Sequence, residues 1–163
     1  MKSIKGQIQM SFGMIFSIII IIATVAVAFY FIQKFLDTSD CVVLGDFKSK
    51  LQEDIDGAWR SPIAQKKFIG SVSRGIESVC FGSLADRKPG SNEDEFQEFS
   101  YLVDSNKNLF IYPSNEACNG RSAALELKNV DSTGFFCKKV INGKIELNIL
   151  KESATEALVK VKE

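Results

Sequence analysis

Histidine is absent from the sequence. The commonest general base and the commonest metal ligand are therefore missing, and Ser-His-Asp and Cys-His mechanisms are excluded. There is no P-loop, no G-x-G-x-x-G and no G-x-S-x-G, and no N-x-[ST] acceptor for N-linked glycans. None of the four cysteines sits in a C-x-x-C pair, so neither a zinc knuckle nor a thioredoxin-like site is encoded. The densest acidic group, Glu93-Asp94-Glu95 with Glu98, lacks the D-x-[DN]-x-[DN]-G calcium loop and reads as the solvated start of a helix. These absences point away from an enzyme: no catalytic residue, cofactor or metal ligand is singled out.

Charge is missing from one long stretch. Between Gly6 and Gln33 the only ionisable side chain is Tyr30, which stays neutral near pH 7. The densest part, Phe12 to Ile32, would span roughly 32 Å as a helix, against a hydrocarbon core of about 30 Å. A soluble core helix rarely runs apolar on every face for so long. The stretch reads as a membrane span. Lys2 and Lys5 precede it, while Lys34 is followed by Asp37 and Asp40. That bias sets the N-terminus in the cytoplasm and the rest outside, a single-pass topology. Ala26-Val27-Ala28 has the small-x-small form of a signal-peptidase site, but the apolar run continues past it through Phe29-Tyr30-Phe31-Ile32. Three of the 20 basic residues and none of the 20 acidic ones precede Asp37, so the remainder is net −3. A mildly acidic domain has no footprint for nucleic acid.

Lys5-Gly6-Gln7, followed closely by the long apolar run, resembles the N-terminus of archaeal type IV pilin-like proteins with a class III signal peptide. The resemblance covers about the first 30 residues and implies a short leader, 1–6, removed between Gly6 and Gln7 by a prepilin-type peptidase. It also implies that 7–36 serves as a transmembrane and assembly helix, packing against identical or related subunits once it leaves membrane lipid. Gln9-Met10-Ser11-Phe12-Gly13 follows the family's Gln-x-Ser-x-Glu, with Gly13 in place of the glutamate. In the family that carboxylate is thought to neutralise a neighbour's new amino terminus. Its absence points to a minor subunit or an uncut relative.

The expected fold class is α+β: a transmembrane helix, then an amphipathic helix packed on a small antiparallel sheet, with 37–163 as the extracytoplasmic domain. Ser39 or Asp40 is placed to cap the second helix. Leu44, Phe47, Leu51, Ile55 and Trp59 form its apolar stripe, and Ser61-Pro62 ends it. Runs suited to strands lie between Lys66 and Leu84, from Asn108 to Tyr112, and over Ala123–Leu127. Others run from Phe135 to Ile141, Lys144 to Leu150, and Leu158 to Lys162. Glu93 to Asp104 reads as a short helix. Asn142-Gly143 between two such runs is a hairpin signal, and the last strand, rich in lysine, suits an edge. About four to six strands are expected in one sheet.

An even cysteine count outside the membrane suits two disulfides. Cys41, Cys80, Cys118 and Cys137 allow three pairings; the reading leans to Cys41–Cys80 with Cys118–Cys137. The functional expectation is a membrane-anchored, non-enzymatic cell-surface protein, pilin-like and structural. The alternative is a single-pass protein whose outer domain binds a partner without polymerising. A hydrolase using carboxylates alone would require two of them facing each other across a cleft.

Overall fold

The structure, a computed structural model, describes residues 12–163. The chain divides at Asp37/Thr38 into two compact units. In the first, the backbone is helical from Phe12 and the side chains of residues 13–35 are exposed. The second, Thr38–Glu163, is a disulfide-braced α+β unit.

Helix α1 spans Phe12–Arg60. The separate second helix capped by Ser39 or Asp40 is thus corrected: the backbone is helical straight through these residues. No proline or glycine lies between Gly13 and Gly45. Asp, Thr and Ser each cost only about 0.5–0.7 kcal/mol in a helix interior, too little to break it. Leu44, Phe47, Leu51 and Ile55 are buried as the stripe requires, but Ala58, not Trp59, completes it. Trp59 is 41% exposed and donates its indole N–H to the Ala157 carbonyl. The helix ends at Ser61, whose hydroxyl donates to the Gly57 carbonyl.

Seven strands follow: β1 (Ala64–Ser71), β2 (Ser78–Gly82), β3 (Leu109–Tyr112), β4 (Ala124–Leu125), β5 (Phe135–Lys139), β6 (Lys144–Lys151) and β7 (Lys160–Lys162). A short helix, α2 (Glu93–Phe99), lies between β2 and β3. The single expected sheet is in fact two, ordered β1-β6-β7 and β4-β3-β2-β5, with every strand pair antiparallel. In the first sheet Ile145, Leu147 and Ile149 of β6 alternate inward toward α1, and Lys144, Glu146 and Asn148 outward. Phe47 of α1 meets Phe68 of β1 edge-on at 5.8 Å. That approach needs Gly70, where a Cβ would fall 2.5 Å from the Phe47 ring. In the second sheet β2 is central and wholly buried, and Phe99 of α2 packs on Phe110 of β3 at 5.3 Å.

The Asn142-Gly143 turn forms, with both residues at positive φ and reciprocal backbone bonds between Ile141 and Lys144. Its flanking strands nonetheless part. β5 pairs with β2, β6 pairs with β1, and the Val72 N–H donates to the Gly143 carbonyl. The hairpin signal marks a crossing between sheets. The strand expected over Ala123–Leu127 is only two residues long. Beyond it the Asn108 side chain replaces backbone pairing, accepting from Leu127 N–H and donating to Leu127 C=O. β7 is an edge as expected, and Val159 just before it bridges Val130 in parallel.

Candidate functional site

Two features carry whatever this chain does: the apolar segment and the braced domain. Gly13–Arg60 contains a window long and apolar enough to cross a membrane, none of it buried. Ile22 is 64% exposed and Phe35 73%. An exposed apolar surface this continuous is unfavourable in water. Its two aliphatic hydroxyls among the described residues bond within the helix, Ser17 to the Gly13 carbonyl at 2.8 Å and Thr24 to the Ile21 carbonyl at 2.9 Å. In hydrocarbon an unsatisfied polar group costs several kcal/mol, so internal bonding is what lipid demands. Gly6 and Gln7, the expected processing site, lie outside the described residues.

All four cysteines are bonded, but not in the pairing the sequence reading favours. The bridges are Cys41–Cys118 and Cys80–Cys137, which replaces Cys41–Cys80 with Cys118–Cys137. The physical reason is the strand register. Cys80 of β2 stands directly opposite Cys137 of β5. Cys41, one turn inside the domain on α1, then meets Cys118 in the turn after β3. Disulfides of this kind belong to an oxidising compartment.

Cys80, Cys137 and Glu95 bring ligand atoms within 4.8 Å of one another. With both sulfurs joined to each other, neither is a thiolate, and the Glu95 carboxylate accepts from Ser78 Oγ at 2.9 Å. Glu93 and Glu98 of the acidic group are similarly engaged. Glu93 pairs with Arg87 at 2.7 Å, and Glu98 accepts from the Ser114 N–H. A hydrogen bond from Gln97, then Arg87, holds the Glu93 carboxyl below its ordinary range. Burial, then the charges of Asp94, Glu77, Glu98 and Glu95, pushes the Tyr112 phenol up.

A cavity of about 930 Å³ opens beside the C-terminal part of α1 and the start of β1. Two of its three carboxylates are engaged, Asp54 by Lys66 at 2.6 Å and Asp56 by Gln52 and Asn129; Glu53 is the third. A second hollow of about 480 Å³ is lined by Phe135, Phe136 and the β7 residues Lys160–Lys162. Comparison with protein-family models, curated proteins and solved structures finds no match for this chain.

Proposed function

We propose that the chain is a membrane-anchored, non-enzymatic cell-surface protein, a pilin-like structural or minor subunit of a surface filament. One observation carries the reading. An apolar helical segment with every described side chain of residues 13–35 exposed precedes a domain held by two disulfides. Lipid, or the matching segments of other copies, removes that surface from water, and the bridges fit the outer side of the membrane. In this reading Gly6 and Gln7 flank the cut made by a prepilin-type peptidase, and the domain supplies contacts to other surface proteins.

Mass spectrometry of the mature N-terminus tests it. A chain beginning at Gln7 supports the filament subunit. An intact Met1 supports instead a single-pass anchor that binds a partner without polymerising. A start at Phe29 overturns both, since the anchor would be gone.

A further inference from the structure

The two bridges interlace: Cys41, Cys80, Cys118 and Cys137 follow in that order, and the first joins the third as the second joins the fourth. The consequence is a route for force. Cys41 lies in the first turn of α1 inside the domain, four positions after Asp37. Beside it Ser73 Oγ donates to the Asp40 carbonyl. Beyond it, α1 is held by side chains met one after another along its length. Phe47 is held by Phe68, Gln52 by the backbone of Lys128, Asp54 by Lys66, and the Trp59 carbonyl by Lys151. Contacts in series fail one at a time when a helix is pulled from its end.

Cys118 leads elsewhere. It follows the fully buried Ala117, and the turn it heads is closed by Arg121 N–H on the Cys118 carbonyl. A few residues upstream is β3, whose neighbour β2 is bonded to β5 through Cys80–Cys137. Tension entering at Thr38 therefore reaches Cys41, passes through sulfur to Cys118, and enters β3 at its Tyr112 end; with the domain held at the opposite end of the sheet, where β5 begins, it loads β3, β2 and β5 along their lengths. Strands loaded that way must break several hydrogen bonds at once.

We propose that Cys41–Cys118 is a tension clamp: it diverts pull from the anchor around α1 and the β1-β6-β7 sheet into the second sheet. The clamp gives the anchored reading above its mechanical sense and rests on it. A subunit or anchor at a cell surface is loaded between its membrane end and whatever holds its domain.

The test is single-molecule pulling of the purified full chain in detergent. It is held by an N-terminal tag and by a handle on an azide-bearing residue replacing the exposed Thr133, just before β5 and at the end of the sheet opposite Tyr112. Wild type should stay closed at low force. C41A/C118A should show an early low-force extension as α1 and β1 peel away, stopping at the Cys80–Cys137 bridge. The released chain, from Cys41 to Cys80, is about 130 Å when taut. C80A/C137A, which keeps the clamp, should show no early step. Where C41A/C118A does not fold, dithiothreitol added to tethered wild type replaces it. The dithiol supplies two electrons and two protons to the sulfurs, leaves as its cyclic disulfide, and should bring on the early extension. An early step in oxidised wild type, or none after either way of opening Cys41–Cys118, overturns the proposal. The tag holds the chain whether or not the segment lies in lipid, so failure here is separate from an N-terminus found at Phe29.

Discussion

The Lys151 ammonium donates to the main-chain carbonyl of Trp59 at 2.7 Å, in the last turn of α1. Lys151 is a buried residue at the end of β6, and its charge meets the negative end of the helix dipole. One side chain thus ties the end of the helix to the sheet beneath it.

Replacing that lysine by methionine keeps the alkyl packing and removes the donor. Lys151→Met should cost about 1–3 kcal/mol, the range for a polar group left unsatisfied in a protein interior. Equilibrium urea melts of the detergent-solubilised chain measure it. Unchanged stability would mean that water serves the Trp59 carbonyl equally well.

Gly70 has an ordinary backbone conformation and is required by space alone. A methyl group there would meet the buried Phe47 ring and the Phe68 ring. Gly70→Ala should destabilise by about 1–3 kcal/mol, as overpacked core positions do. The paired variant Gly70→Ala with Phe47→Leu should recover part of the loss, because the smaller side chain leaves room. Additive losses in the double variant would refute this account.

Acid should weaken a cluster on the outer face of the first sheet. Lys160 reaches Glu156 at 2.6 Å and Glu152 at 2.9 Å. The hydrogen bond from Lys160 comes first in holding each carboxyl below its ordinary value of 4.5. The same bonds, the one Lys160 donates to Glu156 first, raise the Lys160 ammonium. A lowered carboxyl contributes stability that is complete above its unfolded pKa and lost as pH falls through the folded value. A raised ammonium contributes stability that is complete below 10.5 and lost as pH rises through its folded value. Lys160→Met should therefore lower the melting temperature at neutral pH, and the gap to wild type should close as pH drops below about 4. A gap of constant size from neutral pH to about pH 3 would show that the cluster is not the cause.

The disulfide pairing shows where legibility in the sequence stops. The stripe from Leu44 to Ile55 and the strand-like run from Lys144 to Leu150 are readable because periodicity and residue preference are local signals. The apolar segment was readable from composition alone. The bridges depend on which strand lies beside β2, and that depends on β5 and β6 parting after Asn142-Gly143. The turn has the same local chemistry whether its strands stay paired or separate, so local signals place both strands in one sheet, and a Cys41–Cys80 tie from helix to sheet looks as reasonable as the pairing the register imposes. Asp37-Thr38-Ser39-Asp40 misled for a related reason: cap residues are also tolerated inside a helix when both sides continue it. Gly70 was silent because its role is set by Phe47, far away in the chain.

Non-reducing peptide maps should recover Cys41 with Cys118 and Cys80 with Cys137. Removing the second pair as C80A/C137A should cost about 2–5 kcal/mol, since the bridge closes a long loop of the unfolded chain. Peptides joining Cys41 to Cys80 would contradict the β2–β5 register itself, because that register leaves Cys80 facing Cys137.

The apolar segment separates a membrane role from accidental exposure through one substitution at its middle and one outside it. Ile22 is 64% exposed, and Ile69 on β1 is 58% exposed. In water the two would tolerate arginine equally, since neither packs into a core. In a bilayer they differ: arginine at the centre of a span costs about 2.5–3.5 kcal/mol in insertion, whereas a domain surface pays nothing comparable. Ile22→Arg should therefore shift the chain out of the carbonate-resistant membrane fraction, while Ile69→Arg leaves it there. Equal behaviour of the two variants, or wild type remaining a dissolved monomer without detergent, would remove the reason to place residues 13–35 in lipid.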